Sequence, residues 1–313
     1  MELNNQWFNT MQSLKNCHQV IADLLVDKKV AYVDIPIHFN VGDLLIYLGT
    51  EEFFKNNAIN VIYRSDAKHV RWSKLKDADV ILMHGGGNFG DLYDSGCHQS
   101  LREEIIQRFE NKVIVCLPQT IYFNSEEREE RSAKIFSKHS NFHFFVRDKK
   151  SFKIAEKFSN FVKLMPDMAH SLHPLVDVTE AGPSNIFPKK KLNLVRVDIE
   201  GNGHIKREID KKTFDWQDII TVQDFILKRL YDLLIFITQN KSNMLWESLS
   251  RSVFFKSASF FNQYDIVYTD RLHGVIFASL LGKEVFLYDN SYGKNSTYYD
   301  CWLKPNPFIS VLK

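Results

Sequence analysis

The sequence predicts an α/β protein with parallel sheets in two domains, and three observations carry that expectation. Short apolar runs alternate with helix-length stretches through the first half of the chain. A proline-bearing break follows, and a shorter alternating segment then runs on to the C-terminal residues. The length of 313 residues also suits two domains better than one.

The elements follow in order. Trp7, Met11, Leu14, Ile21 and Leu25 recur at about 3.6 residues, so 6–25 is expected as an amphipathic helix. Five apolar runs read as strands: Val30–Ile35, Val61–Tyr63, Val80–Met83, Val113–Leu117 and Phe142–Val146. Helices fit between and after them at 43–56, 98–110, 126–138 and 149–158. Strands apolar on both faces and separated by helices belong to a parallel sheet covered on both sides. The stretch His173–Lys191 holds Pro174, Pro183, Pro188, Gly182 and the basic run Lys189–Lys191. Proline withholds a backbone donor and fixes φ. Residues 176–191 are therefore expected as a linker between an N-terminal domain, 1–175, and a C-terminal domain, 192–313. In the latter, Leu192–Val197, Ile266–Thr269 and Val285–Tyr288 read as strands, 221–262 as a largely helical block, and 274–281 as a helix stopped by Gly282. The second domain is expected to be smaller and helix-rich.

Composition narrows the function. Apolar residues make up 44% and charged residues 25%, which excludes a disordered chain. A net charge of +2 argues against a nucleic-acid partner. No apolar run approaches the ~20 residues of a membrane span, and Met1–Thr10 lacks the layout of a signal peptide. Cys17, Cys97, Cys116 and Cys301 are scattered without a CxxC pair, which points to a reducing, cytoplasmic setting. No His, Cys or carboxylate cluster has metal-ligand spacing, so no metal is expected.

Three stretches carry candidate chemistry. His84-Gly85-Gly86-Gly87-Asn88-Phe89-Gly90-Asp91 follows a strand and formally matches GxGxxG. It is either a tight strand-to-helix turn or a ligand-facing loop whose N–H groups approach an anion or a sugar. It is a poor dinucleotide fingerprint, because no acidic residue ends the next strand. His38-Phe39-Asn40-Val41-Gly42-Asp43 also follows a strand; Asp43 suits a helix N-cap, whereas His38 and Asn40 suit a site. Thr269-Asp270-Arg271-Leu272-His273-Gly274 leads from a strand into a helix. Arg271 offers a planar cationic fork for carboxylate or phosphate at a helix N-terminus, and His273 can hand over a proton near neutral pH. Arg147, and Lys294 in the loop Asn290–Asn295, each fit a surface reading singly. Taken together, Asp43, Asn88, Arg147, Arg271, His273 and Lys294 all fall at strand C-terminal ends, which in two facing domains can line one cleft. No Walker A sequence is present.

In this order the chain resembles the polysaccharide pyruvyl transferase family over about residues 30–303. The matching stretches are Asn40–Asp43, Gly85–Asp91, Leu117–Thr120, Val146–Asp148, Met165–Ala169, Arg196–Glu200, Thr269–Gly274, Gly282-Lys283 and Asp289–Trp302. The resemblance implies two Rossmann-like domains facing across a cleft, the GT-B type, without a nucleotide-sugar donor or a cofactor. It implies transfer of the enolpyruvyl unit of phosphoenolpyruvate to two sugar hydroxyls of a polysaccharide or glycan precursor, giving a cyclic ketal and phosphate. Arg147 and Arg271 would hold the donor's carboxylate and phosphate, with the main chain at Leu272 and with Lys294 and Asn295 beside them. His273 would be the general acid, and Asp43, or else Asp91, the base. Asn40, Gly87, Asn88 and Asp91 fall to the acceptor or its loop. A lipid-linked acceptor would bring the protein to the inner membrane face, where the helix at 6–25 and the tail Tyr298–Lys304 are amphipathic; packing on the protein's own domains is the preferred reading of both segments. Two alternatives stay open: a glycosyltransferase of the same architecture that uses a nucleotide sugar, and a non-catalytic carbohydrate-binding protein.

Overall fold

The computed structural model describes residues 1–92, 97–183, 188–196, 213–238, 243–289 and 294–312. They form two compact units. The first comprises Cys17–Ile37 and Thr50–Met168, and the second Met1–Asn16, His38–Gly49 and Ala169–Lys313. The sequence alone places residues 1–16 and 38–49 in an N-terminal domain of 1–175, whereas in the structure they pack with the C-terminal residues.

The first unit is built on seven strands: β1 (Lys29–Val33), β2 (Asn60–Ser65), β3 (Val80–Met83), β4 (Gly86–Gly90), β5 (Val113–Tyr122), β6 (Phe142–Val146) and β7 (Phe161–Leu164). Their order is β2-β1-β3-β5-β6-β7, with β4 beside β5, and every pairing is parallel. All four residues of the central β3 are buried, while the edge strand β7 alternates exposed and half-buried positions. This contrast is what burial on two faces against one face dictates. Phe89, Phe136, Phe142, Phe144 and Phe158 fill one side of the sheet, with Phe89 and Phe144 ring centroids 4.6 Å apart. Two helix starts carry side-chain caps: Ser125 Oγ accepts the Arg128 N–H at 3.3 Å, and Asp148 Oδ1 accepts that of Ser151 at 2.8 Å.

The second unit carries four parallel strands, β8 (Lys191–Leu194), β9 (Ile266–Thr269), β10 (Glu284–Tyr288) and β11 (Ile309–Leu312), in the order β11-β10-β9-β8. The expected helical block is present as Val222–Thr238 and Asn243–Phe261. The N-terminal amphipathic stretch is two helices, Glu2–Cys17 and Gln19–Leu25. The first of them seals the second unit: Trp7 is fully buried and its Nε1–H donates to Ser279 O at 2.7 Å.

The sequence reading misses three strands. β4 is written in glycine, which signals a loop; β7 and β11 are four-residue strands at sheet edges. Gly85, just before β4, and Gly90, at its end, serve strand packing. A Cβ on Gly85 would lie 2.9 Å from Pro118 O, and one on Gly90, at φ +112°, only 1.9 Å from Tyr122 O. Gly85–Gly90 is thus largely a strand and not a strand-to-helix turn.

Candidate functional site

In the second unit the turn after β9 places Arg271 and His273 at the start of the helix Leu272–Leu280. Thr269 Oγ1 accepts the Arg271 N–H at 3.0 Å and fixes the turn. Gly274 lets the helix close onto the sheet, since a Cβ there would stand 2.6 Å from Thr269 Oγ1 and 2.9 Å from Leu194 Cδ2. Beneath the turn, buried Asn295 donates from Nδ2 to Asp270 O at 2.5 Å and to Tyr288 O at 3.1 Å. Its place is a brace under the loop. Asp270 Oδ1 accepts the Arg196 N–H at 2.8 Å, and burial pushes the Asp270 carboxyl up from the usual range. Leu272 is buried, and its N–H belongs to the first turn, ahead of the first intrahelical bond, which Val275 N–H makes to Arg271 O. Lys294 opens the helix Lys294–Tyr298. Residues 290–293 and 197–200, part of the matched stretches, lie outside the described residues.

Arg271 is only 7% exposed and donates from Nη2 to Asp215 Oδ2 at 2.6 Å. Asp215 is itself buried, and its Oδ1 accepts the Trp216 N–H. No local sequence signal points to it, because it stands 56 residues from its partner.

The Asn40–Asp43 stretch belongs to the same unit. Phe39 stacks on Trp246 with centroids 5.7 Å apart, which anchors the loop ahead of the helix Val41–Asn56. The cap of this helix is Asn40, whose Oδ1 accepts the Gly42 N–H at 3.0 Å, so Asp43 is not the cap but a first-turn residue. Its Oδ2 faces His38 Nε2 at 3.6 Å, and the pair is partly exposed. The His273 ring lies against Gly42, the residue before Asp43. The structure therefore brings Asn40, Gly42, Asp43, Arg271, Leu272, His273 and Asn295 together in one unit.

Arg147 belongs to the first unit, at the end of β6, and is buried. Its guanidinium pairs with Asp167 through Nη1 and donates to Thr120 Oγ1 from Nε at 3.3 Å and from Nη2 at 3.0 Å. A buried, paired guanidinium replaces the solvated surface alternative. Asp91 is spent locally: it accepts the Asn124 N–H at 2.6 Å and Arg128 Nη1 at 3.2 Å. Gly87 lies half-buried within β4.

Asn88 joins a buried polar cluster that the sequence reading does not name. Asp34, just past β1 at φ +67°, accepts His98 Nδ1 and Arg102 Nη2, each at 2.5 Å. Arg102 also donates to Asn88 O at 2.9 Å and to Asn88 Oδ1 at 2.7 Å. Gln119 Nε2 donates to His84 O at 2.7 Å. Burial raises the Asp34 pKa, but Arg102 and His98 outweigh it and hold the carboxyl below its ordinary value. The available signal was a polar residue directly after a fully buried run, as in Val33-Asp34 and Met83-His84. Among the described residues no group of three or more His, Cys, Asp or Glu is arranged to hold a metal.

Parallel sheets flanked by helices, with polar side chains at strand carboxyl ends, define an α/β protein of the Rossmann-like class. The chain belongs to the polysaccharide pyruvyl transferase family, whose model matches residues 40–292. It is 37% identical over 97% of its length, and 95% of the relative's, to a Bacillus subtilis protein named "Putative pyruvyl transferase EpsO". It is 29% identical to "Pyruvyl transferase 1" of Schizosaccharomyces pombe, over 88% of this chain and 70% of that one. A crystal structure of an uncharacterised Klebsiella pneumoniae protein superposes with a TM-score of 0.61 at 25% identity, over 95% of this chain and 97% of that one.

Proposed function

We propose that the protein transfers the enolpyruvyl unit of phosphoenolpyruvate to two hydroxyls of a sugar, forming a cyclic pyruvate ketal and releasing phosphate. The observation that carries this reading is the Arg271–His273 helix start, with His273 seated beside the Asn40–Asp43 turn. Family membership supplies the reaction class.

The donor is a small, highly charged anion. The Arg271 fork and the leading N–H groups of the helix suit its carboxylate or phosphate. Arg147 and Lys294 are further donor cations in this proposal, and Asp167 and Thr120 fix the direction of the Arg147 fork. His273 protonates the methylene carbon, which leaves a cationic centre stabilised by the adjacent oxygen. One hydroxyl attacks it; phosphate then leaves, and the second hydroxyl closes the ketal. Of the two hydroxyl protons, one replaces the proton that His273 gave up and the other departs with phosphate. Asp43 is the proposed base for the first. No step requires a cofactor.

The acceptor is a sugar, whose hydroxyls both donate and accept hydrogen bonds. The first unit offers groups of matching chemistry in Asn88, His98 and the main chain near Gly87. A cytoplasmic protein that meets a lipid-linked acceptor at the membrane face is part of the same proposal. The apolar sides of both segments expected to meet lipid are buried, at Trp7, Met11 and Leu14 and at Tyr298 and Leu303. A lipid surface would instead meet the helix Val222–Thr238, where Val222, Phe225, Ile226, Leu230 and Leu233 are exposed.

Phosphate release from phosphoenolpyruvate, measured with a panel of galactosides, glucosides and N-acetylmannosamine derivatives, tests the reading. Acceptor-dependent release that is lost in Arg271→Ala supports it. Absence of donor binding by calorimetry, together with turnover of a nucleotide sugar, overturns it in favour of a glycosyltransferase.

A further inference from the structure

Glycine within a helix is a poorer choice for helix stability than alanine. Gly42 occupies such a position in Val41–Asn56, and Asn40 already caps the turn. The reason for glycine is space. A Cβ at residue 42 would lie 2.6 Å from His273 Nδ1, 2.9 Å from Cγ and 3.0 Å from Cβ. These atoms form the root and near edge of the imidazole, which cannot swing aside as the tip of a long chain can. The ring thus rests on a bare Cα with its Nδ1 edge turned to the helix, and Nε2 stands on the far side of the ring.

We infer that Gly42 is a positioning residue for His273: it provides the seat that fixes the imidazole orientation from which Nε2 delivers its proton. The inference rests on the proposed pyruvyl transfer for its catalytic meaning and on the contact alone for its geometry. It also explains why two stretches far apart in the chain, Asn40–Asp43 and Thr269–Gly274, act as one. Phe39 on Trp246 and the Asn40 cap hold the seat, while Thr269 and Gly274 hold the helix that carries the ring.

The test is Gly42→Ala in the full chain, alone and combined with His273→Ala. A misplaced reacting group commonly costs about 10²-fold in rate. Gly42→Ala is expected to lower kcat by that order while donor affinity, read by calorimetry, stays within about twofold, since Arg271 is untouched. In the His273→Ala background the same substitution is expected to cause no further loss, and any drop in Tm seen in the single variant disappears once the ring is gone. Imidazole NMR signals of His273 are expected to move in Gly42→Ala, a readout that needs no turnover. Unmoved His273 signals with unchanged kcat overturn the inference. An equal, additive loss in both backgrounds also overturns it, since that marks a structural role without the histidine. Wild-type protein that never consumes phosphoenolpyruvate overturns the functional reading instead, and the NMR signals and the Tm cycle still decide the seat.

Discussion

Replacing Asp215 with Asn isolates the charge that faces Arg271. Asn is isosteric and caps as well as Asp, so the bond from the Trp216 N–H, 2.6 Å long, is retained. Asp218 Oδ2 keeps its bond from the residue 215 N–H, 2.8 Å long. What disappears is the negative partner of a guanidinium only 7% exposed, and with the amide oxygen kept for the Trp216 N–H, the amide NH2 takes the place of the Oδ2 that accepts from Arg271. Breaking a buried pair from one side costs about 3–5 kcal/mol, which is the loss expected without ligand. An anion bound beside Arg271 supplies the missing charge, so the variant is expected to gain more stability from saturating phosphoenolpyruvate than the wild type does. Scanning calorimetry of both proteins, with and without donor, reads the two effects together. A variant as stable as wild type, or one that gains less from the donor, refutes the assignment of Asp215 as the resident counter-charge of Arg271.

Trp7→Ala removes a fully buried indole and its bond to Ser279 O, and is expected to destabilise the second unit by about 3–5 kcal/mol in thermal or urea unfolding. Burial, with Lys15 nearby, pushes the His173 imidazole down to about 4 from its ordinary 6.5. The unfolded chain therefore binds the proton first. Its contribution is complete above pH 6.5 and drains away as the pH falls towards 4; Tm measured over that window should fall more steeply in wild type than in His173→Phe. Anionic vesicles should co-sediment wild-type protein at low salt and release it when Leu230 and Leu233 are both changed to Asp; equal sedimentation of the two proteins would remove the helix Val222–Thr238 from the membrane proposal.

Strands buried on every face were legible because an apolar run bounded by helices has few other meanings, as at Val80–Met83. β4 was illegible because its role is close packing between strands, which glycine serves while advertising a loop. The helix-start residues Arg271 and His273 were readable from their place after a strand. Their supports were not. Asp215 meets Arg271 across 56 residues, and Arg102 meets Asp34 across 68. Asn40 and Asn295 looked like ligand-facing polar groups, yet at least part of each amide is spent on the backbone, one as a cap and the other as a brace. Local sequence reports which chemistry a turn presents; which groups hold that turn in place is settled by distant packing.

The central claim is most directly tested by NMR of a reaction containing protein, phosphoenolpyruvate and a sugar acceptor. The account predicts loss of the vinyl signals of the donor, growth of a methyl signal on a ketal carbon joined to two sugar oxygens, and inorganic phosphate in equal amount, none of which His273→Ala produces at more than about 10⁻² of the wild-type rate. An intact vinyl group in the presence of every acceptor that the protein binds, or a ketal formed equally well by His273→Ala, would contradict it.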